Sequence, residues 1–510
     1  MGAVVVDPKL TVKNKLLPLD AVCCLTVVPK WMPTIDKWGP FLQSFAGAGY
    51  NMVHYAPLNM RGTSNSPYSI YDQLAFSNDL FEPGSYLSED DKERQLHDVL
   101  IRSKDEFGIL SITDVVWNHT AHNSKWLEEH PEAGYNLETA PHLRAAYELD
   151  EAIISLDKDL AQASIPTALQ TEEHLTQVMH IFKDFTLPRL RLWEFYIVNV
   201  ADRLSEFKLA WEPFGKTRDP DAKPDNALLS SGLKAWANAL RTSALSIDTH
   251  LGTRFKKRVH VSNAVKLMER LTSGRDSTES VLKMYTNILN EVNDPLYAEA
   301  NADIAAIVAN VWSRARYLRV DSHGPKLGPI SRKDPLVDTY FTRLAFNENT
   351  RNFHSDALCL ANNGWIWNGD PLSNFAGPDS KAYLRRDVIA WGDCVKLRYG
   401  DGPESNPWLW QHQRAYTEKM ARLFHGFRID NCHSTPIHVA TYLLDAARII
   451  NPDLYVIAEL FTGSEETDVT FVSKLGINSL IREAMSAWDP KEMSRLVHRY
   501  GGTPIGEIFR

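Results

Sequence analysis

The stretch FHGFRIDNCH, residues 424–433, sets Arg428 two positions before Asp430 and His433 three positions after it. On a strand, positions i and i+2 face the same way, so Arg428 and Asp430 project together. A guanidinium beside a carboxylate lowers the acid's pKa and keeps it ionised, as a nucleophile requires. The next apolar run, YVIAEL, ends in Glu459, and 29 residues, the length of one βα unit, separate the two acids. Neighbouring parallel strands lie about 4.8 Å apart. Two carboxylates at adjacent strand ends can therefore approach the ~5–5.5 Å separation used in retaining glycosyl chemistry. Glu459 follows Val456, Ile457 and Ala458, and partial desolvation there is expected to raise its pKa, as suits a general acid. A third group, DVVWNH, brings Asp114, Asn118 and His119 to the end of an earlier strand.

The elements that must carry these residues alternate. AVCCLTVVPKW, YNMVHYAPL and GILSITDVVWNHT read as strands, with WGPFLQSFAGAG and EDDKERQLHDVLIRSKDEF as helices between them. Continuous apolar strands alternating with helices indicate a parallel sheet covered by helices. Residues 140–320 carry helical patterns, such as TEEHLTQVMHIFKDF and ESVLKMYTNILNEV, and no comparable strand run. Residues 321–423 are rich in Gly, Pro, Asn and Trp and read as loop-dominated, placed over a site. The strand–helix rhythm returns at 424 with FHGFRID, the helix STPIHVATYLLDAARII (Thr435 as N-cap, Pro436 first in the helix), DLYVIAEL and GINSLIREAM. The expectation is an α/β chain of four segments. Residues 1–139 hold barrel strands one to three, 140–320 a helical insertion, 321–423 a loop-rich cover, and 424–510 the next strands.

Composition excludes several classes. The net charge is −9, without a long basic block, so nothing recommends nucleic acid or an anionic membrane as partner. No apolar run is long enough to span a bilayer. The start MGAVVVDPKL lacks the features of a signal peptide. Five cysteines, an odd set with no CxxC, suit a reduced, cytoplasmic setting better than a disulfide framework. Fourteen Trp and 18 Tyr suit flat ligands such as sugar rings, although packing accounts for most aromatics. The oligomeric state stays open.

DVVWNH, GFRIDNCH and the Glu of VIAEL resemble the first three signature regions of the α-amylase superfamily. RIDNCHSTP, AELFTGSE, HGPKLGP and WGDCVKLRYG look like the 4-α-glucanotransferase part of eukaryotic glycogen debranching enzymes. The resemblance implies a (β/α)8 TIM-type barrel, interrupted between strands three and four by the helical insertion. It implies Asp430 as nucleophile and Glu459 as acid/base, with His119, Arg428 and His433 lining the subsite of the attacked sugar. Tyr68, in SNSPYSI, is a looser match to the aromatic platform beneath that sugar. Asn118 takes a hydrogen-bonding role, and Asp114 supports the site. Implied substrates are glycogen and maltooligosaccharides, between which short chains move. No cofactor and no metal are expected.

Other roles compete for the same residues. Arg428 and Asp430 alone would be an ion pair at a strand end, and Glu459 alone a solvated rim residue. His433 and His438, five apart, do not share a helical face as metal ligands would. Cys432 beside His433 points the other way on a strand. Trp365/Trp367 and Trp408/Trp410 have the spacing of sugar platforms, but packing is their commoner role. One departure from the family stands out. The superfamily's fourth region supplies a His-Asp pair, and here the only such dipeptide, His97–Asp98, lies on an early helix. With six candidate strands where the barrel needs eight, the expectation is a chain truncated before strands seven and eight. It would lack the amylo-1,6-glucosidase domain of the family and be inactive by itself; an amylase-like hydrolase and a non-catalytic glycogen-binding fragment are the alternatives.

Overall fold

The computed structural model describes residues 7–247, 252–481, 487 and 489–500. Its central element is a sheet of six parallel strands: β1 (Cys24–Val27), β2 (Met52–Tyr55), β3 (Leu110–Val115), β4 (Gly426–Ile429), β5 (Tyr455–Glu459) and β6 (Ser479–Ile481). They lie side by side in chain order, the arrangement of successive strands in a (β/α)8 barrel, here six strands of it. These are the six apolar runs read from the sequence. Every residue of β2 and β3 is buried, as a sheet covered on both faces requires.

The two faces differ. Val53, Tyr55, Val115, Phe427, Ile429, Val456 and Ala458 join the main apolar core. Helices complete that core from outside the sheet. They are α1 (Gly39–Gly47), α2 (Glu89–Arg102), α3 (Pro407–Leu423), α4 (Ile437–Ile450) and α5 (Glu465–Leu475). Leu42, Leu96, Leu409, Leu443 and Phe471 are among the side chains they bury. The alternate positions, Thr26, His54, Asp114, Arg428 and Glu459, therefore share the opposite face. Gly426 lets β4 fit between its neighbours. A Cβ there would lie 2.3 Å from the Tyr455 carbonyl oxygen and 2.8 Å from Ile112 Cγ2.

Two local expectations need correction. Helix α4 begins at Ile437, one residue later than expected. Pro436 is its N-cap, without a side-chain cap. Cys432–Ser434 forms a 3-10 turn, and the Thr435 N–H closes that turn on the Cys432 carbonyl (3.2 Å). Thr435 thus ends the turn, and its buried hydroxyl has no hydrogen-bond partner. Residues 321–423 read as loop-dominated, yet they also contain regular elements. They hold the strands Cys359–Ile366 and Val388–Lys396 and the 17-residue α3. Asn406 accepts from the Leu409 N–H (3.3 Å) just before Pro407, a helix-start signal masked by the Trp- and Gln-rich sequence.

The chain divides into two compact units. One comprises residues to Tyr135, Thr342–Asn374 and Ala390 onward; the other is Asn136–Phe341 with Phe375–Ile389. The second unit is mainly helical, dominated by the 38-residue helix Thr278–Ala315. It has two apolar clusters of its own. A fully buried Asp150 anchors its last segment, bonding Arg386 (2.8 Å) and the Tyr340 N–H (2.8 Å). Among the described residues no helix is long and apolar enough to cross a membrane.

Candidate active site

All the candidate residues lie in the first unit: Tyr68 in the stretch after β2, the others at the C-terminal ends of β3, β4 and β5 and the loops that follow. Parallel pairing sets Asp114 opposite Arg428, and Ile429 opposite Ala458. The next pair in that register is Asp430 and Glu459, so the two acids end adjacent strands. Arg428 is the hub between them. Its Nη2 lies 2.9 Å from Glu459 Oε1 and its Nη1 3.7 Å from Asp430 Oδ1, while Nη1 also bonds Asp114 Oδ1.

Asp114 is fully buried and accepts two further bonds on Oδ2, from His54 Nε2 (2.8 Å) and the Tyr68 hydroxyl (3.2 Å). Tyr68 also places its ring 5.9 Å from the Arg428 guanidinium carbon, within reach of a cation–π attraction. His119 braces Tyr68, its Nε2 donating to the Tyr68 carbonyl (3.0 Å), while its Nδ1 meets Asn118 Oδ1. The Trp391 ring stands edge-on to it at 5.6 Å. Burial pushes the His119 imidazole down to about 4. Asn118 Nδ2 donates to the Asn431 carbonyl (3.2 Å), tying the loop after β3 to the loop after β4. His433 is half-buried; its Nδ1 accepts from the Phe461 N–H (3.4 Å), and its ring lies 5.7 Å from that of Phe461.

Electrostatics at Asp430 run against the expectation from sequence. Burial and the neighbouring Asp114 and Glu459 carboxylates hold Asp430 well above the ordinary carboxylate range, and Arg428 offsets them only in part. The reason is geometric. Arg428 spends its close contacts on Asp114 and Glu459, so one guanidinium serves three acids. Asp430 therefore keeps its proton well above the pH at which an isolated carboxyl would lose it.

Three participants escaped the sequence reading. Asn431 takes the left-handed conformation (φ 44°), which Asn tolerates better than most residues. Its backbone N–H donates to Glu459 Oε2 (2.9 Å) and its Nδ2 to Asp430 Oδ2 (3.3 Å), so one residue grips both acids. His54 and Thr26 complete a chain of bonds behind Asp114. The signal for His54 was its place as a polar residue inside an otherwise apolar strand.

The competing candidates settle elsewhere. Cys432 is fully buried, and its thiol is pushed up by that burial. It sits in the 3-10 turn rather than on a strand. Trp410 packs edge-on against Tyr399 and Tyr442, and Trp408 stacks on His130 and His412. Trp365 and Trp367 are 5.7 Å apart with Trp367 exposed. His97 and Asp98 are exposed on α2. His438 Nε2 donates to the Gly400 carbonyl (3.0 Å).

Comparison with known proteins shows the family. Residues 15–455 match the family described as glycogen debranching enzyme, glucanotransferase domain. The chain is 46% identical over 502 residues to the glycogen debranching enzyme of Saccharomyces cerevisiae (strain ATCC 204508 / S288c), covering 98% of this chain and 31% of that protein. It thus spans about a third of the length of the curated relative it matches. Among solved structures, an α-amylase from Lactobacillus plantarum is similar at 11% identity and a TM-score of 0.33, covering 87% of this chain and 47% of that one. An α-amylase from Geobacillus thermoleovorans complexed with acarbose is similar at 8% identity and a TM-score of 0.34, covering 91% and 51%. The family match and the yeast relative decide the matter: the chain belongs to the glucanotransferase-domain family of glycogen debranching enzymes.

Proposed function

We propose that this chain carries the 4-α-glucanotransferase site of such an enzyme, moving short maltooligosaccharides between glycogen chain ends with retention of configuration. The observation that carries the proposal is the placement of Asp430 and Glu459 at the ends of adjacent parallel strands, both held by Arg428 and Asn431. Asp430 attacks the anomeric carbon of the donor, while Glu459 gives its proton to the departing glycosidic oxygen. The C–O bond to the leaving chain breaks as the bond to the Asp430 carboxylate forms. Glu459, now a base, takes the proton of an acceptor 4-hydroxyl. That oxygen displaces Asp430, restoring both acids. Arg428 stabilises the anionic form of whichever acid lacks the proton.

The reactive form has Asp430 bare and Glu459 protonated. Tyr68, braced by His119, offers a ring beside Arg428 for the sugar held there. Five free cysteines among the described residues suit a reducing, cytoplasmic setting for such an enzyme.

Incubation of the protein with maltopentaose tests the reading. Transfer yields longer and shorter oligosaccharides at a constant number of reducing ends. A rise in reducing ends in step with product identifies a hydrolase of the amylase kind instead. No product at all, with the chain folded, rejects catalysis by this chain and leaves glucan binding.

A further inference from the structure

A line of polar side chains crosses the inner face of the sheet, and the reaction outlined above uses only its far end. Thr26 Oγ1 on β1 lies 3.1 Å from His54 Nδ1 on β2. His54 Nε2 lies 2.8 Å from Asp114 Oδ2 on β3. Asp114 Oδ1 bonds Arg428 on β4, whose Nη2 is 2.9 Å from Glu459 on β5. Five adjacent strands each contribute one member.

The order of these bonds fixes the roles. Asp114 faces Arg428 and accepts from His54 and Tyr68, so it is the acceptor throughout, and His54 Nε2 must carry the proton of that bond. In the neutral imidazole Nδ1 is then the bare nitrogen and accepts from the Thr26 hydroxyl, which selects the tautomer. A carboxylate held at one oxygen turns about its own bond. Held at Oδ2 by His54 and Tyr68, Asp114 presents Oδ1 to Arg428 in one orientation. His54 is 5% exposed and Asp114 0%, so a missing donor would not be replaced by bulk water.

We infer that His54, oriented by Thr26, is a positioning residue for glucan transfer: it locks Asp114 so that Arg428 stays on Glu459 and within reach of Asp430. The inference rests on the reading of Asp430 and Glu459 as the reacting pair. It touches no substrate atom; it acts through two intervening side chains, as outer partners of ligating groups do elsewhere.

The test uses the 510-residue chain with His54→Phe, His54→Gln and Thr26→Val. Turnover of maltopentaose by His54→Phe should fall about tenfold to a hundredfold, with KM within about twofold. His54→Gln, which keeps an N–H toward Asp114, should recover most of the loss. Thr26 is exposed, so Thr26→Val keeps the fold and should lose a few-fold. A second measurement needs no turnover. In a thermal-unfolding cycle of His54→Phe with Arg428→Lys, the two melting shifts should not add, because both residues act through Asp114. Unchanged kcat in His54→Phe, equal damage in His54→Gln and His54→Phe, or additive melting shifts would each overturn the inference. A histidine that merely fills the core gives a melting shift without the kcat loss and without rescue. Should His54→Phe not fold, the Gln and Val variants decide. Absence of transfer by the unaltered chain refutes the assignment of the reaction, while the melting cycle still decides the role of His54.

Discussion

At the scale of single residues, the site is a contest over one guanidinium. Arg428 serves Asp114, Asp430 and Glu459, and Asp430 is left with the weakest share and a raised pKa. The sign of its effect on stability follows. A carboxyl whose folded-state pKa exceeds its unfolded value binds its proton more tightly when folded, so stability falls as pH rises from the unfolded pKa through the folded one. Asp430→Asn removes that dependence. The variant should melt above the unaltered chain, with a gap opening from about pH 4 upward to on the order of a few degrees at neutral pH, while transfer drops about a thousandfold or more. Calorimetry across pH checks the first and oligosaccharide analysis the second. Asn431→Gly isolates the Nδ2 bond to Asp430, because glycine accepts the left-handed backbone and keeps the N–H to Glu459. Asp430 loses a donor that favours its charged form, so the acid limb of the pH–rate profile should move to higher pH. The i, i+2 spacing made the pairing of Arg428 with Asp430 legible in the sequence. The preference of Arg428 for Asp114 and Glu459 was not, because it depends on which strands flank β4.

At the scale of elements, the strands do the positioning. All six were readable as apolar runs, most plainly β2 and β3, which are buried throughout, so that their few polar residues stand out. Helix α3 and the strands Cys359–Ile366 and Val388–Lys396 were missed. Their Trp, Asn and Gly content looks like loop when neighbouring strands are unknown, yet here the Asn and Trp side chains are largely packed or hydrogen-bonded. Gly426 is the element-level weak point. Gly426→Ala would press a methyl against the Tyr455 carbonyl, part β4 from β5, and separate the carboxylates those strands carry. A loss of about 2–4 kcal/mol in urea unfolding is expected, together with reduced turnover. Ser88→Ala is the contrasting case. Ser88 caps α2 through the Asp91 N–H (3.2 Å), away from the reacting pair, so about 1 kcal/mol of stability should go while kcat stays the same.

At the scale of the whole molecule, the candidate site is assembled from two distant stretches, residues 26–119 and 428–461, that belong to one compact unit while a mainly helical unit intervenes in sequence. Motif order along the chain pointed to this, but only parallel pairing of β3 with β4 brings Asp114 to Arg428. The central claim is that Asp430 becomes covalently glycosylated with Glu459 as its acid/base partner. The most direct measurement is mass spectrometry of the chain carrying Glu459→Gln after reaction with an α-maltotriosyl fluoride. Fluoride leaves without help from an acid, so the first step proceeds, while the second slows for want of a base. The account predicts a maltotriosyl adduct that maps, after proteolysis, to the peptide containing Asp430, and no adduct when Asp430→Asn is added. An adduct on another residue, or rapid transfer that persists in Asp430→Asn, would contradict it.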